Sequence, residues 1–243
     1  MTKIRPRAAP GARPRRRSKP LAKPRTTPLA ELLTSPDASA RATPLDVFEL
    51  ARKKWLAGER LDIGKLAEEL GVGRATVFRW VGSREQLYGE VISSLFANAL
   101  ERAQREAHGC GPEYLADVTH RLLHFLLEAE PLRRFVQQDT EFALRVLMSR
   151  NSPVEQRCTS AVRALLAAQA QAGHIRPAME LEALAYVVVR ISESFLYRDV
   201  LTGDAPDIET ATQAIRILYA AQPELGTRTR STGRNRHRGA TSP

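Results

Sequence analysis

Arg74, Thr76 and Arg79 fall within eight residues, Arg74–Val81, directly behind Gly71-Val72-Gly73. If that stretch is helical, Val77 and Val81 lie one turn apart and face inward, leaving the arginines and the threonine outward. A guanidinium matches the O6/N7 edge of guanine or a phosphate, and a threonine serves a phosphate or a thymine methyl. Eight helical residues span about 12 Å, close to the roughly 12 Å width of a DNA major groove. Arg74 and Arg79 are five positions apart on different outward edges, so one is a candidate for reading a base and the other for holding a phosphate.

The neighbouring residues form the frame such a helix needs. Ile63, Leu66, Ala67 and Leu70 make an apolar stripe of about two turns, with Asp62 as its cap and Gly71 as its stop. Ser83-Arg84-Glu85-Gln86 has capping-box spacing and opens a further helix. Two short helices around a glycine turn, with a basic outer edge, predict a helix-turn-helix. Lys65, early in the first of them, is a further phosphate candidate. Upstream, Thr43-Pro44 starts a helix with Leu45, Phe48, Ala51 and Trp55 as its buried stripe, and Gly58 ends it. Trp55 is assigned to the core of this three-helix head.

The segment resembles the DNA-binding motif of the TetR family of bacterial transcriptional regulators. The matching positions are Leu66-Ala67, Leu70-Gly71-Val72, Thr76-Val77-Phe78, Val81, Ser83-Arg84 and Leu87. The resemblance implies that Arg84 contacts a phosphate, and the DNA-contacting set is then Lys65, Gly73, Arg74, Thr76, Phe78, Arg79, Trp80 and Arg84. Two positions depart from the family: Phe78 stands where tyrosine is usual, which removes a phosphate hydrogen bond, and Trp80 stands where histidine is frequent. Its indole either packs on sugar-phosphate or fills the head's core. The stretch PLRRFVQQDTEFALRVLMSRNSPVEQR further resembles the body of the QsdR-type subgroup, named for quorum-signal degradation. Family resemblance implies a helical body that binds a small, often apolar effector. Inward aromatic or polar residues supply the candidates: Phe96, His120, His124, Phe125, Gln138, Phe142, Tyr186 and Tyr197.

Everything after the head reads as helix. From Ser83, Leu87, Val91 and Leu95 form one row and Tyr88, Ile92, Phe96 and Leu100 the next, a two-sided apolar face suited to joining head and body. Further helices are predicted over 112–129, over 131–148 with a break near Asp139-Thr140, from Ser152 to Gly173, over 180–201 and over 207–221. Sustained strand alternation is missing, so the fold class is all-α: an N-terminal three-helix head and a C-terminal ligand-binding and dimerisation domain. Ile208, Ala211, Ile215 and Leu218 form a heptad-like seam, and the last two helices are expected to pair with their copies in a homodimer.

Charge is segregated along the chain. Residues 1–25 carry ten Lys/Arg and 226–243 carry five, with no acid in either, while the remainder holds 22 basic against 27 acidic residues. A mildly acidic globule with cationic tails suits an arm that neutralises phosphates without reading sequence. The expected organisation is a basic, largely disordered arm over 1–42, the DNA-binding domain over 43–100, the ligand-binding and dimerisation domain over 101–222, and a basic disordered tail over 223–243. Cys110 and Cys158 make no disulfide framework, and no run of eighteen apolar residues occurs, so a cytoplasmic protein without a membrane span is expected. His120 and His124 are one turn apart and permit metal binding, but no H-E-x-x-H or other catalytic motif is present, so neither metal, cofactor nor enzymatic activity is expected. The expected function is a sequence-specific transcriptional repressor, bound to a double-stranded operator as a homodimer and released by a small molecule. The alternative is a ligand-independent protein that coats DNA through its tails.

Overall fold

The computed structural model describes Thr27, residues 42–149 and residues 152–221. The two basic tails, expected to be disordered, otherwise lie outside the described residues. Thr27 is buried, its Cγ2 close to the α-carbon face of Gly82.

Three helices make the head: α1 (Pro44–Leu56), α2 (Ile63–Glu69) and α3 (Arg74–Val81). Thr43 and Asp46 cap α1 reciprocally. The Thr43 backbone N–H donates to Asp46 Oδ2 at 2.6 Å, and the Asp46 N–H donates to Thr43 Oγ1 at 3.3 Å. Asp62 caps α2 by accepting the Lys65 N–H at 3.0 Å, and that bond holds its carboxyl below the usual range. Gly71 adopts φ +65°, a conformation a Cβ would strain, and lets the Val72 N–H return to the Ala67 carbonyl at 3.0 Å. The head core is Val47, Phe48, Ala51, Leu66, Val77 and Val81, all buried. Leu87 of the next helix completes it.

That next helix, α4 (Arg84–Glu106), packs on α1 and α3 at one end and on the body at the other, as its two apolar rows require. Ser83 caps it by accepting the Gln86 N–H at 3.1 Å. The body consists of α5 (Gly111–Glu128), α6 (Glu130–Gln138), α7 (Thr140–Met148), α8 (Pro153–Gln171), α9 (Leu181–Leu196), the single turn α10 (Arg198–Leu201) and α11 (Ile208–Ala220). The expected break at Asp139 is real, because its side chain caps α7 through the Phe142 N–H at 3.2 Å. The helix expected over 180–201 ends instead at Leu196 and resumes as α10. Every regular element among the described residues is a helix, as the all-α expectation required.

Head and body meet at an aromatic joint. Tyr88 of α4 accepts the Leu61 N–H at 2.9 Å and stacks on Phe135 of α6 at 4.8 Å. Phe142 meets both rings edge-on, and Trp55 of α1 lies 6.0 Å from Phe135. Lower down, Gly89 lets α4 approach the start of α8; a Cβ there would stand 3.0 Å from Pro153 Cδ.

The C-terminal seam is assigned differently by the structure. Ile208, Ala211 and Ile215 are buried within this chain, where α11 lies along α5 and α9. Leu218, the fourth residue of the seam, is only half-buried. What α9 and α11 leave outward is Tyr186 and Ile217, the latter 66% exposed.

Candidate nucleic-acid interface and interior cavity

Val77 and Val81, which are 0% and 1% exposed, pin α3 to the head and so determine what it shows. Arg74, Phe78 and Arg79 are exposed, Thr76 is half-buried, and Lys65 projects from α2 nearby. The Arg74 guanidinium lies 5.8 Å from the Phe78 ring, so the phenylalanine steadies a cation instead of offering a hydroxyl. Gly73 precedes α3 without any side-chain cap, which leaves the positive end of the helix dipole open. Trp80 is half-buried against the head's apolar core.

Arg84 stands apart from this surface. Its guanidinium lies 4.4 Å from the Phe142 ring and 5.3 Å from Tyr88, and its Nε is buried without a hydrogen-bond partner. Geometrically it belongs to the joint between head and body. The residue is half-buried, with its guanidinium beside both rings.

The second site is a partly open cavity of about 210 Å³ lined by α1 and by α4, α5, α6, α7, α8 and α9. Three of the eight effector candidates line it: Phe96, Phe125 and Tyr197. The other five lie elsewhere. Phe142 is in the aromatic joint, Gln138 is exposed beside it, and Tyr186 is exposed under the Arg190 guanidinium. His120 and His124 are half-exposed on the outer face of α5, where His120 Nε2 is 2.8 Å from Glu209 Oε1 of α11. That bond holds the Glu209 carboxyl below its usual range. One ligand atom each from His120, His124 and Glu209 lies within 4.8 Å of the others, a set able to hold a metal ion. The inward assignment of both histidines assumed that one helix face was buried; the α5 face next to α11 is only partly covered.

Sequence reasoning missed three members of the cavity wall. Trp55 and Leu56 reach it from the last turn of α1, so the head itself forms part of the enclosure. The Trp55 indole N–H is buried with no acceptor among the described residues. Glu193 of α9 is the third, a carboxylate in a mostly apolar wall. Burial pushes its pKa up to about 7, with Arg190 opposing and Glu155 reinforcing the shift. The only available signal was an acid on the most apolar helix, and this reads equally well as a solvent-facing residue.

Comparison with known proteins now decides the family. Residues 110–220 match the model described as "Tetracyclin repressor-like, C-terminal domain". The structure of the R. erythropolis transcriptional repressor QsdR, from the TetR family, is similar with a TM-score of 0.70 and 30% identity, covering 80% of this chain and 97% of that one. The chain belongs to the TetR family. More distant structures include a TetR-family regulator from Shewanella sp. PV-4, with 16% identity, a TM-score of 0.46 and coverage of 74% and 97%. Another is FadR from Bacillus subtilis, solved with stearoyl-CoA, with 15% identity, a TM-score of 0.46 and coverage of 73% and 97%. A comparison with curated proteins finds no match. As a TetR-family member this chain is a DNA-binding regulator of transcription, not an enzyme. No helix among its described residues is long and apolar enough to cross a membrane.

Proposed function

We propose that this TetR-family regulator is an operator-specific repressor that a small molecule in the interior cavity releases from DNA. The observation that carries this reading is the reach of Trp55 and Leu56 into the cavity wall. The same α1 that packs under α3 touches whatever fills the cavity, so an occupant acts on the head directly. A molecule that binds better when the head is displaced must weaken operator affinity by the same factor. The similar QsdR, described as a repressor, supports the sign of regulation.

On DNA, α3 would lie in the major groove. Arg74 and Arg79 would divide base and phosphate contacts, with Thr76, Lys65 and the open N-terminus at Gly73 as further phosphate partners. Phe78 and Trp80 would pack beside them, and Arg84 would serve through the joint. We assign the DNA-binding head to residues 43–100 and the effector and dimerisation body to 101–222, with α4 running through the boundary between them. Two copies would join through the outer faces of α9 and α11, around Tyr186 and Ile217, with their recognition helices about 34 Å or a multiple of that apart.

The test is footprinting of the purified full-length protein on DNA flanking its own gene. A protected near-palindrome is expected. Coating of random DNA with the same affinity would replace this reading with the tail-driven one, and deletion of residues 1–25 separates the two. A repressor loses some affinity everywhere but keeps its preference, whereas a coating protein loses binding altogether.

A further inference from the structure

The cavity is not uniformly apolar, and one polar corner is distinctive. Glu193 of α9 and Tyr197, the residue that caps the end of that helix, lie with Cys158 of α8 around it. The Glu193 side chain is 12% exposed, and its Oε2 lies 2.7 Å from Arg190 Nη1. Yet Oε2 has no partner in hydrogen-bonding alignment among the described residues. The guanidinium lowers the cost of the charge but leaves lone pairs unused. Glu155 of α8, itself buried, adds a second carboxylate behind the first. The corner therefore sets two carboxylates against one guanidinium, with the neutral Cys158 thiol and Tyr197 hydroxyl between them. Burial raises both of those groups above their usual ranges, so neither contributes a charge near neutrality.

A buried acceptor with unused capacity is a costly feature of a protein interior unless something donates to it. Above pH 7, where Glu193 is ionised, an anionic group brought here would meet net negative charge in a medium that screens it poorly. Most of the remaining wall, formed by residues such as Leu95, Phe96, Leu122 and Val162, is hydrocarbon and aromatic surface. Its other polar groups are the Thr119 and Ser192 side chains and the Trp55 indole N–H, unpaired among the described residues. An apolar cavity of about 150 Å³ suffices for benzene, so the present 210 Å³ suits a chain of somewhat more carbon atoms.

We propose that the cavity takes an amphiphile with a medium-length apolar tail and a non-anionic, hydrogen-bond-donating head, the head seated against Glu193 and the tail running toward Trp55. This rests on the effector reading above and specifies its ligand. Discrimination comes from the carboxylate: a donor head completes its coordination, while a carboxylate head of the same length is repelled. The pH dependence follows. Between pH 6 and 8 an alkylamine stays cationic while Glu193 ionises, so amine binding tightens with rising pH through about 7.

The experiment is calorimetric titration of the full-length protein with 1-octanol, octylamine and octanoate, with Trp fluorescence followed in parallel. Octanol and octylamine are expected to bind, octanoate at least roughly tenfold more weakly, since a hydrogen bond to a charged group is worth about that factor or more. In E193Q the octanoate handicap should shrink and the pH dependence of octylamine should vanish. Because a buried substitution can impair folding, R190Q supplies a second variant. Loss of its guanidinium removes the interaction that lowers the Glu193 pKa, so the pH at which octylamine binding tightens should move upward. Octanoate binding as tightly as octanol, or no binding by any of the three, overturns the assignment. If octylamine binds as expected but leaves operator retention unchanged, the head-group chemistry stands and the release reading falls. Release by all three in equal measure does the reverse.

Discussion

The two sites of this regulator are built in opposite ways. The proposed DNA-facing surface is one helix of eight consecutive residues, and its two buried valines determine which side chains point out. The cavity draws its wall from seven helices between residues 55 and 197, and no single helix displays it. A surface of the first kind depends on a few side chains that can be removed without harm to the fold. A site of the second kind shares its residues with the core, so its chemistry and the stability of the chain are coupled.

Several substitutions sharpen that contrast. F135A at the aromatic joint is expected to cost the most, about 3–5 kcal/mol of unfolding free energy, measured by chemical denaturation. If it cost under about 1 kcal/mol, the joint would be a loose hinge and not a packed link between the two sites. R79A or R74A should cost about 1–3 kcal/mol in operator affinity if the arginine reads a base, while stability moves by no more than about 0.5 kcal/mol. Equal losses on operator and random DNA would demote that arginine to a phosphate anchor. Removing the α4 cap with S83A should cost about 1 kcal/mol of stability, seen in the same denaturation curves.

A further effect concerns pH. Glu193 has a folded-state pKa of about 7, above the ordinary glutamate value. The folded chain therefore binds this proton more tightly than the unfolded one, and stability falls as pH rises from near 4.5 through about 7. Thermal melts across pH 5 to 8 should show that decline in the wild type and a flatter profile in E193Q. Identical profiles would mean that the carboxylate is hydrated and the cavity corner open to water.

Much of the head was legible because its information is local. Asp62, Gly71, Ser83 and the spacing of Val77 and Val81 each act within one or two turns, so residue type and interval specify both the helices and the outward arginines. Arg84 shows the limit of that reasoning. The motif position implies a phosphate contact, but Phe142, more than fifty residues away, determines where the guanidinium rests.

In the body, amphipathic periods revealed the helices but not their partners. The seam of Ile208, Ala211 and Ile215 is a real apolar stripe, yet a stripe does not specify whether its cover is α5 of the same chain or another subunit. The same ambiguity sent His120 and His124 inward and kept Trp55 out of the cavity. What the sequence determined by itself was the order of helices, the turns between them, the family and the residues presented by α3. Tertiary structure decided which apolar faces met, that the head forms part of the cavity wall, and that one acid on an apolar helix points into it. Those outcomes depend on packing between residues distant in the chain, and hydrophobic burial carries no address.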